Sequence, residues 1–367
     1  MKNKILFFLL LSVKLCLPGY SVNVSERFLF SNISLDQGLS QSTVLDIVQD
    51  SLGYIWMATQ NGLNRYDGYK FSVFKPDLSD EKSIFSSYHQ NLCVDWKNRI
   101  WIGGENGASY YDYDLGGFKN YDLQEIGDRN FVSGIVVDKQ KQIWISTKGG
   151  AVYLYDDDTD SFGKVSDRTF QNTVSFIEEI VDKGNQLLIC SPKGLFSFNK
   201  KSRELVPILI DGKSRGVHDV KIGKDASLWV GTASDGLYLL DHEYQVSAHF
   251  KHRANSRESI LGNKIRALAI DNTGLVWIGT FNGLSILNPF TRTIDNYINE
   301  NDRESSLSHN SVRSIFCDNK NGMWVGTFYG GVNYFHKDNI KFNTINKYSQ
   351  PMPLNDILEE QVPEALA

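Results

Sequence analysis

One position recurs seven times in the sequence, eleven residues before a tryptophan or the leucine that replaces it: Leu45, Gln90, Ser133, Ile177, His218, Arg266 and Arg313. Apolar residues such as Val217, Ile265 and Val312 precede it, and this alternation indicates strand residues that face a channel. Four of the polar residues are candidates for binding: Gln90, His218, Arg266 and Arg313. Paired N–H donors of two arginines can hold a carboxylate or a sulfate. We predict that these four side chains form a ligand site. The alternative is that the arginines line a water-filled channel and pair with carboxylates, and that the histidine is structural.

A second set of candidates lies in loops between adjacent strands. Asn61, Asn282 and Tyr329 fall between the second and third predicted strands of a repeat described below. Amide groups pair with sugar hydroxyls, and an aromatic ring covers the C–H face of a sugar. The same loops contain Gln60, Glu105, Asn106, Lys148 and Asp235. The alternative is that each is a solvated loop residue.

The sequence gives little support for a catalytic site or a metal site. Glycoside cleavage needs two carboxylates about 5 to 9.5 Å apart. Glu178 and Glu179 fall in a predicted strand and the acidic run 156–158 in a predicted turn, where solvated or hairpin roles suffice. The cysteines, Cys93, Cys190 and Cys317, lack zinc-ligand spacing. We therefore expect no catalytic residue, no metal site and no cofactor.

Composition restricts the protein class. The 367 residues are 41% hydrophobic and 22% charged, which excludes a disordered chain or a rod. The net charge of -5 argues against a nucleic-acid partner, which would favour a basic face. The 7 Trp, 17 Tyr, 21 Phe and 30 Gly favour short strands and tight turns.

The tryptophans mark a sevenfold internal repeat. One position is occupied in turn by Trp56, Trp101, Trp144, Leu188, Trp229, Trp277 and Trp324. Six residues earlier stands an aspartate, with Gly223 as the exception: Asp50, Asp95, Asp138, Asp182, Asp271 and Asp318. A small residue follows two positions after the tryptophan, and a glycine comes soon after that.

Each copy predicts four strands. In the first copy they are residues 44–48, 54–59, 63–66 and 71–74. The recurring aspartate, Asp50 in this copy and Asp182 in the fourth, is interpreted as a residue of the first hairpin turn. Further fourth strands are predicted at 118–121, 294–297 and 342–345. Four strands in each of seven repeats predict an all-β fold, a seven-bladed β-propeller of four-stranded antiparallel blades. The alternatives are an open β-solenoid or two sandwiches.

The two ends of the chain complete the domain assignment. We predict that residues 27–33 complete the seventh blade beside residues 333–335, and that 341–348 open a further unit. Residues 1–21 have the layout of a secretory signal peptide, with Lys2 and Lys4 before an apolar run. The propeller then spans 22–348, and 349–367 form a short tail, the truncated start of a following domain.

The repeat resembles a known sensor family. Segments 44–71, VLDIVQDSLGYIWMATQNGLNRYDGYKF, and 312–335, VRSIFCDNKNGMWVGTFYGGVNYF, are similar to two-component regulator propeller repeats. Segment 28–44, FLFSNISLDQGLSQSTV, resembles the usual entry to such a sensor. In that family, two propellers precede a β-sandwich, a membrane helix and a histidine kinase that starts a phosphorelay.

The resemblance implies an extracytoplasmic sensor domain, periplasmic in location, that recognises an oligosaccharide. This chain has no kinase segment, so its partner would be the rest of an inner-membrane receptor kinase, and a homodimer stays open. Two alternatives are a periplasmic propeller enzyme, either a lyase or a glycosidase, and a protein-interaction scaffold.

Overall fold

The chain folds into a ring of sheets. The computed structural model describes residues 28–123 and 131–338. These residues form seven four-stranded antiparallel sheets, and the innermost strand of each sheet contacts the innermost strands of both neighbours. The prediction of a seven-bladed β-propeller is therefore confirmed. None of the described helices is long and apolar enough to cross a bilayer.

The first strand of the described residues, β1 (Ser31–Ile33), belongs to the last blade. Blade 1 contains β2 (Val44–Gln49), β3 (Ile55–Thr59), β4 (Gly62–Tyr66) and β5 (Phe71–Phe74). Blade 2 contains β6 (His89–Val94), β7 (Ile100–Gly104), β8 (Gly107–Asp112) and β9 (Gly117–Asp122). Blade 3 contains β10 (Val132–Val137), β11 (Ile143–Thr147), β12 (Val152–Asp156) and β13 (Ser161–Lys164).

Blades 4 to 7 repeat this order. Blade 4 contains β14 (Glu179–Lys183), β15 (Gln186–Ser191), β16 (Gly194–Asn199) and β17 (Leu205–Ile208). Blade 5 contains β18 (Val217–Ile222), β19 (Leu228–Thr232), β20 (Leu237–Leu240) and β21 (Val246–Phe250). Blade 6 contains β22 (Ala267–Ile270), β23 (Val276–Gly279), β24 (Leu284–Leu287) and β25 (Ile294–Tyr297). Blade 7 contains β26 (Val312–Cys317), β27 (Met323–Thr327) and β28 (Val332–Phe335), followed by β1.

Pairing of β1 with β28 closes the ring. Asn32 lies opposite Asn333, so the predicted closure of blade 7 is confirmed for the residues that can be described. Phe28 stacks on Phe335 with ring centroids 4.0 Å apart, and Phe30 is buried in the same cluster. Arg27, the strands predicted at 341–348, the signal peptide at 1–21 and the tail at 349–367 lie outside the described residues.

One hydrogen-bond pattern recurs in the first hairpin of five blades. In blade 6, Oδ2 of Asp271 accepts from the indole N–H of Trp277 at 3.0 Å. Oδ1 of the same carboxylate accepts from the backbone N–H groups of Thr273 and Leu275. The indole bond repeats at 2.7 to 2.9 Å in the pairs Asp50–Trp56, Asp95–Trp101, Asp138–Trp144 and Asp318–Trp324. The predicted turn aspartate thus fixes both the turn and the tryptophan.

The hydrophobic core consists of clusters between adjacent blades. Trp56 of blade 1 packs against Ile100 and Ile102 of blade 2, and the tryptophan of each later copy also packs on the next blade. The small residue two positions later permits this close approach. A Cβ atom at Gly279 would lie 2.6 Å from Cγ1 of Val312 in the next blade.

Blades 4 and 5 depart from the pattern. The first hairpin of blade 4 is one residue shorter than that of blade 1. Asp182 therefore lies within the strand and pairs with Leu187, as Gln49 pairs with Ile55 in blade 1. The interpretation of Asp182 as a turn residue is therefore wrong. Its carboxylate instead lies 2.7 Å from Nζ of Lys200, which also contacts Asp138. A seven-residue helix, α1 (Arg168–Val174), precedes blade 4 and was not predicted.

Replacing Asp271 by Ala should lower the free energy of unfolding by about 2–4 kcal/mol, because the buried indole N–H and two turn amides lose their acceptor. Urea unfolding of the full chain measures the change. The matched control is Asp295→Ala, at an exposed position of β25, which should change stability by less than about 0.5 kcal/mol. Equal effects of the two substitutions would contradict the proposed double role.

Replacing Phe30 by Ala should cost about 3–5 kcal/mol, because a buried aromatic side chain at the ring closure is lost. Thermal unfolding followed by tryptophan fluorescence measures this. Leu35→Ala, a few residues away and 54% exposed, is the control and should be nearly neutral. A Phe30 variant as stable as the parent would mean that this closure contributes little.

Candidate functional site

Three of the four predicted channel residues project from β-bulges. Strand pairing shifts register between Val312 and Ser314, which leaves Arg313 as the extra residue of β26. His218 and Gln90 occupy the same place in β18 and β6. A bulge bends the strand and redirects its extra side chain. Bulges, rather than simple strand alternation, therefore account for these positions in the channel.

These side chains line one cavity in the channel. Gln90, His218, Arg266 and Arg313 surround a space of about 90 Å³, together with residues of the innermost strands of six blades, all except blade 3. Typical small-molecule pockets measure about 300–1,000 Å³. The cavity therefore has room for one small polar group with a few waters, and a larger ligand would extend outside it.

The two arginines lie in neighbouring blades. Burial, together with the charge of Arg313, lowers the pKa of Arg266 to about 10. Nη1 of Arg266 donates to Oγ of Ser311 at 2.7 Å, and its guanidinium lies 4.2 Å from the ring centroid of Phe281. Within the described ranges, neither arginine has a carboxylate oxygen within 4.0 Å. The carboxylate pairing considered as the alternative is not observed there.

Glu178 is a channel residue that the ungapped alignment of the seven repeats does not identify. In blade 4, Glu179 pairs with Cys190, just as Asp46 pairs with Ala58 in blade 1. The residue before Glu179 is therefore the counterpart of Leu45. Glu178, and not Ile177, thus occupies the channel position of blade 4. Ile177 is fully buried, and its predicted channel position is wrong. The shorter blade 4 hairpin causes this one-residue error. Allowing a gap in that turn would have revealed the correct register.

Glu178 and His218 form a pair across neighbouring blades. Nδ1 of His218 lies 3.3 Å from Oε1 of Glu178. Burial alone would raise the pKa of Glu178, but the hydrogen bond and charge of His218, with a contribution from Arg313, lower it overall. The interpretation of Glu178 as a solvated strand residue is therefore wrong.

A second layer of charged groups lies one residue further along the strands. Oδ2 of Asp46 accepts from the Leu92 amide of the next blade at 2.7 Å, and Asp219 accepts from Leu268 in the same way. Nζ of Lys221 lies 2.8 Å from Oδ1 of Asp219. These carboxylates join adjacent blades, a role that the pattern of the repeat does not predict.

Burial changes the protonation of this second layer. It raises the pKa of Glu179 to about 8, and it raises that of Asp46 to about 6 against the opposing effect of two backbone N–H donors. Burial alone would lower the pKa of Lys221, but Asp219 and Glu179 raise it overall. Near neutral pH, Glu179 is therefore mainly protonated.

The predicted loop residues lie outside the cavity lining. The Asn282 amide donates to the carbonyl of Leu261 at 3.0 Å, which orders the connection between blades 5 and 6. Asn61 is exposed, with its backbone N–H bonded to Thr59. Tyr329 is 66% exposed and packs edge-on against Phe328, with ring centroids 4.5 Å apart. Four of the seven predicted site residues thus line the cavity.

Aromatic side chains lie on the arginine side of the channel. Phe281, which is 48% exposed, and Phe328 both lie near the guanidinium of Arg266, and Tyr329 follows Phe328. We call Phe281, Phe328 and Tyr329 the aromatic rim. In the described ranges, no group of three or more His, Cys, Asp or Glu side chains is arranged to hold a metal ion.

Sequence comparison assigns the repeat type. A family model described as "Two component regulator propeller" matches residues 38–61, 259–282 and 306–329, in blades 1, 6 and 7. These three segments are thus similar to the repeats of that family. A histidine kinase from Formosa agariphila is 40% identical over 60 residues, which are 16% of this chain and 4% of that protein.

Solved structures share the propeller. The extracellular domain of a protein described as a hybrid two component system from B. thetaiotaomicron is 26% identical, with a TM-score of 0.69. The match covers 84% of this chain and 42% of that one, so this chain spans about two fifths of the relative. Virginiamycin B lyase from Staphylococcus aureus, 13% identical over 84% of this chain and 98% of its own, has a TM-score of 0.64 and shares the fold.

The adjacent glutamates Glu178 and Glu179 should give opposite pH effects. The folded chain retains the Glu179 proton to higher pH than the unfolded chain, so its contribution to stability decreases as pH rises from about 4.5 to about 8. Glu178 loses its proton more readily when folded, so its contribution decreases as pH falls below about 4.5.

Urea unfolding of the full chain, Glu179→Gln and Glu178→Gln over a range of pH tests this. The stability difference between parent and Glu179→Gln should fall with rising pH, and that for Glu178→Gln should fall with decreasing pH. Parallel profiles for the two variants would contradict the assigned environments.

Proposed function

We propose that this chain is the periplasmic sensing domain of a hybrid two-component regulator and that it recognises a carbohydrate at the arginine side of its channel. Three repeats match the regulator propeller family, and a 26% identical relative is described as an extracellular domain of such a system. The signal-like sequence at residues 1–21 supports export. The domain would report ligand binding to a membrane-anchored kinase in the same regulator.

The observation that carries the ligand proposal is the combination of a polar cavity with an exposed aromatic rim. Arg266, Arg313, Gln90 and the Glu178–His218 pair supply donors and acceptors inside the channel. Phe281 and Tyr329 supply apolar ring faces outside it. Sugars present both hydroxyl groups and C–H faces, so this arrangement matches their chemistry.

Isothermal titration of the full chain against a panel of oligosaccharides tests the proposal. At least one oligosaccharide should bind, and Tyr329→Ala should weaken it by about tenfold, because stacking on an exposed ring is lost. Tyr69→Ala is the matched control. Tyr69 is 94% exposed and lies in the turn between β4 and β5, at the opposite end of the strands.

Two results would count against this function. One is a folded chain that binds none of the oligosaccharides. The other is an equal loss of affinity in Tyr329→Ala and Tyr69→Ala, which would place binding away from the aromatic rim. Fractionation of an expressing gram-negative host tests the location, since the chain should appear in the periplasm.

A further inference from the structure

The arginine pair differs from the other charged groups of the cavity. Asp219 contacts Lys221, Asp46 accepts backbone N–H groups, Glu178 pairs with His218, and Glu179 is mainly protonated. The cavity carboxylates thus have their own partners or carry little charge. In the described ranges, Arg266 bonds to the neutral hydroxyl of Ser311.

Two neighbouring guanidinium groups in a confined space repel each other, and burial removes water that would screen them. Burial is the larger cause of the lowered pKa of Arg266, and repulsion from Arg313 adds to it. A bound anion would relieve the repulsion and accept hydrogen bonds from both groups. An uncharged ligand would leave both guanidinium groups without an anionic partner at contact distance, since Glu178 interacts with Arg313 only from beyond 4.0 Å.

The dimensions limit what can enter. A cavity of about 90 Å³ is too small for an oligosaccharide, whereas one acidic substituent with a few waters fits. Phe281 lies directly against the Arg266 guanidinium, and Phe328 and Tyr329 continue the surface outward. A ligand with its acidic group in the cavity would therefore place its adjoining ring near the aromatic rim.

We propose, building on the proposed carbohydrate-sensing function, that the ligand is an acidic oligosaccharide whose carboxylate or sulfate group is held between Arg266 and Arg313. The sugar ring that bears this group lies on the aromatic rim, and the remaining units extend into solvent. Glu178 and Gln90 accept or donate hydrogen bonds to hydroxyl groups on the opposite side of the cavity.

Calorimetric titration of the full chain with three size-matched oligosaccharides tests this proposal: one neutral, one containing uronic acid and one sulfated. At least one acidic oligosaccharide should bind ten times or more tighter than the neutral one. Its affinity should fall as salt is added, because the interaction is between charges. Reduction of the carboxyl groups or removal of the sulfate esters then distinguishes the two sources of the anion.

Arg266→Gln and Arg313→Gln should each weaken the acidic ligand by about 10- to 100-fold, as expected when a charged hydrogen-bond donor is lost. Affinity for a neutral oligosaccharide should change little. Arg266→Lys keeps the positive charge but loses the forked geometry of the guanidinium. Its affinity for the acidic oligosaccharide should lie between those of the parent and the Arg266→Gln variant. Arg257→Gln, at an exposed position, is the control. Circular dichroism and thermal unfolding verify that each variant is folded.

The outcomes separate the two proposals. If neutral oligosaccharides bind as tightly as acidic ones, the acidic specificity is wrong while carbohydrate sensing stands. If an acidic ligand binds but both Arg→Gln variants retain full affinity, the anion site is wrongly placed. If no oligosaccharide binds the folded parent, both the sensing proposal and this inference fail.

Discussion

The hydrogen bond between a turn aspartate and a tryptophan indole is the interaction on which the architecture depends. One carboxylate oxygen holds the first hairpin of a blade, and the other fixes the indole that packs on the next blade. A local turn and a long-range interface are therefore coupled through a single side chain. Because the bond is buried, its loss would leave an indole donor unpaired in an apolar cluster. Five copies of this bond connect hairpin geometry to blade spacing, and so to the width of the channel.

Most of the fold was predictable because this interaction requires the same residue types at the same spacing in successive blades. The tryptophan, the preceding aspartate and the following small residue identify the blades, and the apolar pattern of residues 28–33 identifies the closing strand. The errors arose where the chain departs from the period. Leu188 replaces tryptophan in blade 4, and the shorter hairpin there shifts Glu178 into the position assigned to Ile177. Helix α1 is short and lies between blades, where the repeat imposes no pattern.

The candidate site was predictable only in part. Arg266, Arg313, His218 and Gln90 share a position in the repeat, and that position lines the channel. The second layer of Asp46, Glu179, Asp219 and Lys221 was missed, because polar residues one step further along a strand resemble ordinary strand residues in a sequence. Their roles depend on contacts with a neighbouring blade, such as the Asp219 bond to Leu268. Contacts between separate repeats cannot be inferred from the period of one repeat.

The pairing of β1 with β28 also affects how the protein is made. The first described strand leaves the ribosome before the strands of all the other blades, but its partner is synthesised only after six blades have been made. Blade 7 therefore cannot be completed until the rest of the ring has been synthesised, and the aromatic side chains of residues 28–30 lack their native cover until then. Six blades can assemble in order from adjacent segments, and the final step joins distant ends. The native ring thus closes only once blade 7 has been synthesised.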